Sequence, residues 1–180
     1  MELKLKGEDA SIDVSQPLTV TMNWTTAADF DLAAAYQTID GKLGIVYYGE
    51  LGKLQDFPFM ALSGDEGVKE PKGSKEEVLQ INRLDGMSTV WLFCWDYNMV
   101  QKGQAARFKH SDVILTIVDV FGNSVSVNMD TGQEGNVCCV ATIDNSQPEG
   151  AKFINYSQVG TLKGLKTLEQ LVAVARQFVI

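Results

Sequence analysis

What constrains this chain most is a rapid succession of short segments rich in β-branched and aromatic residues, each bounded by turn formers. That pattern is the signature of strands. Strands are expected near Ser11–Asp13, Leu18–Trp24, Leu32–Gln37, Val46–Glu50, Glu77–Ile81, Val90–Tyr97, Val113–Val120, Ser124–Met129, Asn136–Asp144 and Ala151–Ser157. The turns between them carry their own chemistry. Asp40-Gly41 and Phe121-Gly122-Asn123 each place a glycine where a hairpin needs positive φ, and Asn145 to Gly150 opens on polar residues and closes on Gly. Near the C-terminus the apolar period changes: Leu165, Leu168, Leu171, Val172, Ala175 and Val179 recur at helical spacing after a Thr167-to-Gln170 capping box. Consecutive short strands closed by one helix point to a mostly β fold, a two-sheet antiparallel β-sandwich with a C-terminal helix, expected to form a single domain over residues 1–180.

Size and composition fit that expectation. A chain of 180 residues can bury roughly 70 % of its unfolded surface, enough for a complete core. The charge balance of 15 basic to 23 acidic residues, with no Lys/Arg cluster, argues against nucleic acid and anionic membrane as partners. The N-terminus MELKLKGEDA has no signal-peptide apolar core and no later stretch is long enough to span a membrane, so a cytoplasmic location is expected. Cys138 and Cys139 are adjacent strand residues that should face opposite ways as small apolar fillers, not as a metal pair or disulfide. Trp91, Phe93 and Trp95 should share one strand face, most simply as core or sheet-to-sheet contact and alternatively as an exposed patch for a partner.

One segment breaks the strand pattern. Leu62 to Glu77, LSGDEGVKEPKGSKEE, holds three Gly, one Pro and five acids and is expected to be a long loop, the kind that is functional or disordered in compact domains. A second acidic feature lies upstream, where Asp29 and Asp31 flank Phe30 so that strand geometry sends both carboxylates to one side and Phe30 and Leu32 to the other. Close like charges raise one pKa or demand a cation. Carboxylates and carbonyls from the loop, with Asp65, Glu66 and Glu76-Glu77, could complete an all-oxygen shell for calcium. Zinc is disfavoured because the one histidine, His110, and the cysteines lie elsewhere in the sequence. Magnesium keeps more of its waters than such a cage allows. The opposing reading is a solvated acidic surface, since a D-x-D pair alone is a weak signal.

Five blocks in order resemble the tellurium-resistance (TerD-like) family. They are Leu5-Lys6-Gly7; Trp24 with Ala28-Asp29-Phe30-Asp31-Leu32; Val46-Tyr47-Tyr48-Gly49; Ser63-Gly64-Asp65-Glu66-Gly67 through Glu76-Glu77; and Asn136–Val140 through Lys152-Phe153 to Gly164-Leu165. The resemblance implies a β-sandwich, calcium held by the D-x-D strand start and the acidic loop, a cytoplasmic setting and a part in resistance to tellurium oxyanions and other stress. It implies no enzyme activity. Carried over by position, the metal ligands are Asp29, Asp31 and Asp65, with Glu76 and Glu77. The chain also departs from the family: Lys75 stands where an acidic ligand is expected, Glu66 replaces an Asn, and Pro71 with an inserted residue shifts the loop. These departures argue against a second ion and leave open a metal-free interaction module with Lys75 in place of the cation. A carboxylate hydrolase built on Asp29, Asp31 or Glu77 is a third reading, although no nucleophile-base pair accompanies those acids and His110-Ser111-Asp112 is adjacency, not a triad.

Overall fold

The computed structural model describes residues 1–25, 30–63, 75–96, 100, 102–103, 106–107, 112–131, 134–162, 167, 170 and 173. In chain order the strands are β1 (Glu2–Leu3), β2 (Asp9–Ile12), β3 (Leu18–Trp24), β4 (Phe30–Thr38), β5 (Leu43–Val46), β6 (Gly52–Lys53), β7 (Met60–Leu62) and β8 (Lys75–Ile81). They continue with β9 (Met87–Asp96), β10 (Ala106–Arg107), β11 (Ile114–Val118), β12 (Ser124–Asn128), β13 (Glu134–Gly135), β14 (Val137–Asp144) and β15 (Ala151–Gly160). A seven-stranded sheet runs β1-β12-β11-β3-β8-β7-β6 and a six-stranded sheet β2-β15-β14-β9-β4-β5, with β10 and β13 as a small separate ribbon. All pairings are antiparallel except β1 on β12.

Alternation places the core. Val20, Met22 and Trp24 of β3, Leu79 and Ile81 of β8 and Leu115 and Ile117 of β11 meet Leu32, Ala34, Leu92, Cys94 and Phe153 of the other sheet in one buried cluster. The expected sandwich is therefore present, and its three hairpins are present too: Gly41, Gly122 and Gly150 take φ of 88°, 86° and 124° at the β4–β5, β11–β12 and β14–β15 connections.

The structure corrects several details. The strand expected at Val46–Glu50 lies instead at Leu43–Val46, because the Asp40-Gly41 turn pairs Gln37 with Leu43 and so sets the register early. Tyr47–Glu50 then forms a tight turn, each end's N–H donating to the other's carbonyl at 3.0 and 2.9 Å. β1, β6, β7, β10 and β13 are only two or three residues long, too short to show a period. Trp91, Phe93 and Trp95 do share a face, but it is the one turned away from the opposite sheet. There they pack with Ala33, Ala35, Val100, Val137, Cys139 and Leu162 in a second buried cluster, so the expected core role holds, but as a second layer and not as sheet-to-sheet contact or an exposed patch. Cys138 lies in the first cluster and Cys139 in the second, as alternation requires, and all three thiols are buried and form no disulfide.

The expected terminal helix is not seen among the described residues. Gln170 and Ala173 carry helical backbone, and Thr167 N–H donates to Gln170 Oε1 at 3.1 Å, one half of the capping box. The remainder lies outside the described residues. No described helix is long and apolar enough to cross a membrane.

Candidate functional site

Topology brings both acidic features to one end of the sandwich. β3 and β8 are antiparallel neighbours with Trp24 opposite Lys75, so the connection leading to β4 and the long loop preceding β8 attach at the same end. The base of the loop is closed locally: Ser63 N–H donates to Val78 O at 2.7 Å and Val78 N–H to Ser63 Oγ at 3.0 Å.

Glu77 follows the inward alternation of Leu79 and Ile81 and is only 4 % exposed. Its Oε2 accepts the backbone N–H of Leu32 at 2.5 Å, from the other sheet. The donor is available because β5 stops at Val46, opposite Ala34, and among the described residues no strand pairs with that edge of β4 beyond it. A carboxylate is a strong acceptor for such an orphan donor. Asp31, adjacent in sequence, is 9 % exposed and lies across from Trp95 on β9. Trp95 Nε1 finds no hydrogen-bond partner among the described residues. Phe30 and Leu32 enter the sheet-to-sheet core, as alternation predicts, and Phe30 packs edge-on to Trp24 with centroids 5.9 Å apart. Glu76, one residue out of phase with Glu77, is exposed and accepts from Asn23 Nδ2 at 3.1 Å.

Of the five expected ligands, the structure thus brings the Asp31 strand and the Glu77 carboxylate together and leaves Glu76 on the surface of the outer face. Asp29 and Asp65 lie outside the described residues, as do Glu66, His110 and Ser111; Lys75 is described by its backbone alone. Among the described residues no group of three or more His, Cys, Asp or Glu side chains is placed to hold a metal. Glu77 points between the sheets, while Asp31, paired with Trp95 and in phase with Ala33, lies on the opposite face of β4; the donors themselves are carboxylate oxygens, chemistry that suits a hard cation and not zinc or copper. Asp112 was missed as a member of this end of the molecule. Both its oxygens accept the Thr25 N–H at 2.9 Å, and it also accepts the Thr25 hydroxyl, fixing the first residue after β3. Nothing local in the sequence signals this, since the pairing spans 87 residues.

No protein-family model matches the sequence, and none of the curated proteins does. Two solved structures are similar in shape. One is SAV2460, a protein of unknown function, with TM-score 0.57 and 15 % identity over 82 % of this chain and 94 % of that one. The other is SCO6318 of Streptomyces coelicolor A3(2), a homologue of the telluride resistance protein TerD, with TM-score 0.53 and 13 % identity over 88 % of this chain and 95 % of that one. The chain has a TerD-like fold. Both matches span nearly the full length of the neighbour, so the whole TerD-like sandwich is shared and not one hairpin of it. At this identity the likeness is one of fold.

Proposed function

We propose that the protein is a non-enzymatic, calcium-binding stress-response module of the tellurium-resistance type, with one ion held between the Asp29/Asp31 strand start and the acidic 62–77 loop. The observation that carries the reading is the Glu77 carboxylate on the Leu32 N–H, which ties the base of the loop to the D-x-D strand. A dication there would relieve the repulsion between the Asp29 and Asp31 carboxylates and draw in carboxylates and carbonyls from the loop that β8 anchors. By ordering the loop it would shape a surface for a protein partner. Calorimetric titration of metal-stripped protein should give about one calcium per chain and a higher melting temperature at saturating calcium, and Asp31→Asn should abolish the heat. Absence of heat and of any melting shift at millimolar calcium would sink the reading.

A metal-free interaction module has one observation of its own: Glu76 and Glu77 already accept hydrogen bonds from Asn23 and Leu32. It predicts a calcium-independent melting temperature in both the parent and Asp31→Asn, so the same titration separates the two.

A further inference from the structure

β5 is the last strand of one sheet and β6 the last strand of the other, and the two ends meet where β5 contacts β7, the neighbour of β6. The segment joining them and the turn after β6 enclose an open groove of about 740 Å³, within the range of small-molecule sites. None of Asp31, Glu76 and Glu77 lines it. Its walls are Tyr36, Tyr48 and Phe57, with Glu50, Asp56 and Lys53 at the polar positions.

The aromatic corner is built, not incidental. The Tyr36 ring lies across Gly44, where a Cβ would approach its Cζ to 2.1 Å; glycine on the neighbouring strand is what makes room for it. Phe57 stands edge-on to Tyr36, centroids 5.6 Å apart and planes at 83°. Phe57 nonetheless keeps 56 % of its surface in solvent and Tyr48 45 %. Behind Phe57, Phe59 is held at φ 61°, a conformation bulky residues rarely take and one that concentrates at binding sites. The Arg83 guanidinium lies 4.0 Å from the centroid of the Phe59 ring, so a cation already rests on an aromatic face beside this corner. Glu50 is close enough to Tyr36 to help burial push the phenol's pKa upward. Neither the Glu50 nor the Asp56 side chain has an ion-pair partner among the described residues. With Lys53, the polar positions carry a net charge of −1 (two acids, one lysine).

We propose that this groove binds small organic cations of the alkylammonium class, the charge held by the Tyr36, Tyr48 and Phe57 rings and the Glu50 and Asp56 carboxylates. Rings meeting near a right angle form a corner that suits a compact ammonium, whose attraction to ring faces grows as it loses water. A flat pyranose would want a single open platform instead. The protein's net charge of −8 favours arrival of a cation over an anion.

The test titrates choline chloride into the full-length protein in metal-free buffer, followed by chemical shifts of backbone amides and aromatic rings. Expected are saturable shifts confined to Tyr36, Tyr48, Phe57, Glu50 and Asp56, and at least about tenfold weaker binding of the neutral isostere in which carbon replaces the quaternary nitrogen. Glu50→Gln with Asp56→Asn should weaken choline binding several-fold, and Lys53→Met should strengthen it. These side chains are exposed, so melting temperatures should hold and keep the comparison clean. Equal affinity for choline and its isostere, shifts that do not saturate or map elsewhere, or indifference to the charge variants would each overturn the proposal.

Discussion

Glu77 shows how much one side chain decides. Its carboxylate serves a backbone donor that lies beyond the end of β5, and removing a buried charged partner costs about 1.5–3 kcal/mol. Glu77→Ala should lower the unfolding free energy in urea by that order even in metal-free buffer, whereas Glu77→Gln, which keeps an acceptor oxygen, should cost about 1 kcal/mol. Gly44 is a second such residue. Gly44→Ala drives a methyl into the Tyr36 ring and should cost about 1–3 kcal/mol through overpacking, with a visible change in the tyrosine near-ultraviolet circular dichroism. Asp119 gives the pH dependence its sign. Asn123's side chain, with backbone N–H groups of the β11–β12 turn, holds its carboxyl below the ordinary 3.8. A depressed folded value means stability that is present above pH 3.8 and lost as pH falls through the lowered value. Carboxyl-resolved NMR titration should find that value below 3.8, and Asp119→Asn should flatten the acid limb of the turn's stability.

At the scale of elements, the two sheets are joined by a polar link as well as by the core. Asn155 of β15 is fully buried, and its Nδ2 donates to Leu3 O on β1 at 3.0 Å and Asn128 O on β12 at 3.1 Å, while its Oδ1 accepts Ser157 Oγ at 2.6 Å. β1 is two residues long and cannot hold itself, so this side chain and the β12 pairing keep it in place. Asn155→Ala should cost about 2–4 kcal/mol by stranding buried carbonyls. Hydrogen exchange should reveal the damage first at Ser126, whose N–H donates to Met1 O at 2.9 Å. Uniform loss of protection across both sheets, without that local onset, would contradict this role.

The whole molecule is a sandwich with a second apolar layer on the outer face of one sheet, and its thiols report on both layers. Burial pushes the Cys139 thiol up to about 12 and raises Cys138 well above its ordinary value, so both stay protonated and unreactive in the fold. A thiol-specific chromogenic reagent at pH 8 should therefore label none of the cysteines in native protein and all three in denaturant; fast native labelling would place one of the layers wrongly. Local features were legible in the residues alone. Period-two runs, positive-φ glycines and the opposite facing of Cys138 and Cys139 depend only on neighbours a few positions away. The candidate acids were legible as a composition, but whether they meet was not, because Glu77 reaches Leu32 across 45 positions through a register that β3 and β5 impose. The same holds for parity itself. The register slips between Cys139 and Ala141 on both sides of β14, so Cys138, Val140, Ala141 and Ile143 all enter the inner core, which strict alternation forbids. Chain chemistry thus determined which segments are strands and where they turn, since those are energies of adjacent residues. Tertiary structure decided which faces are covered, which backbone donor the Glu77 carboxylate meets and where two sheet edges leave a groove, since those depend on contacts that exist only once distant strands have paired.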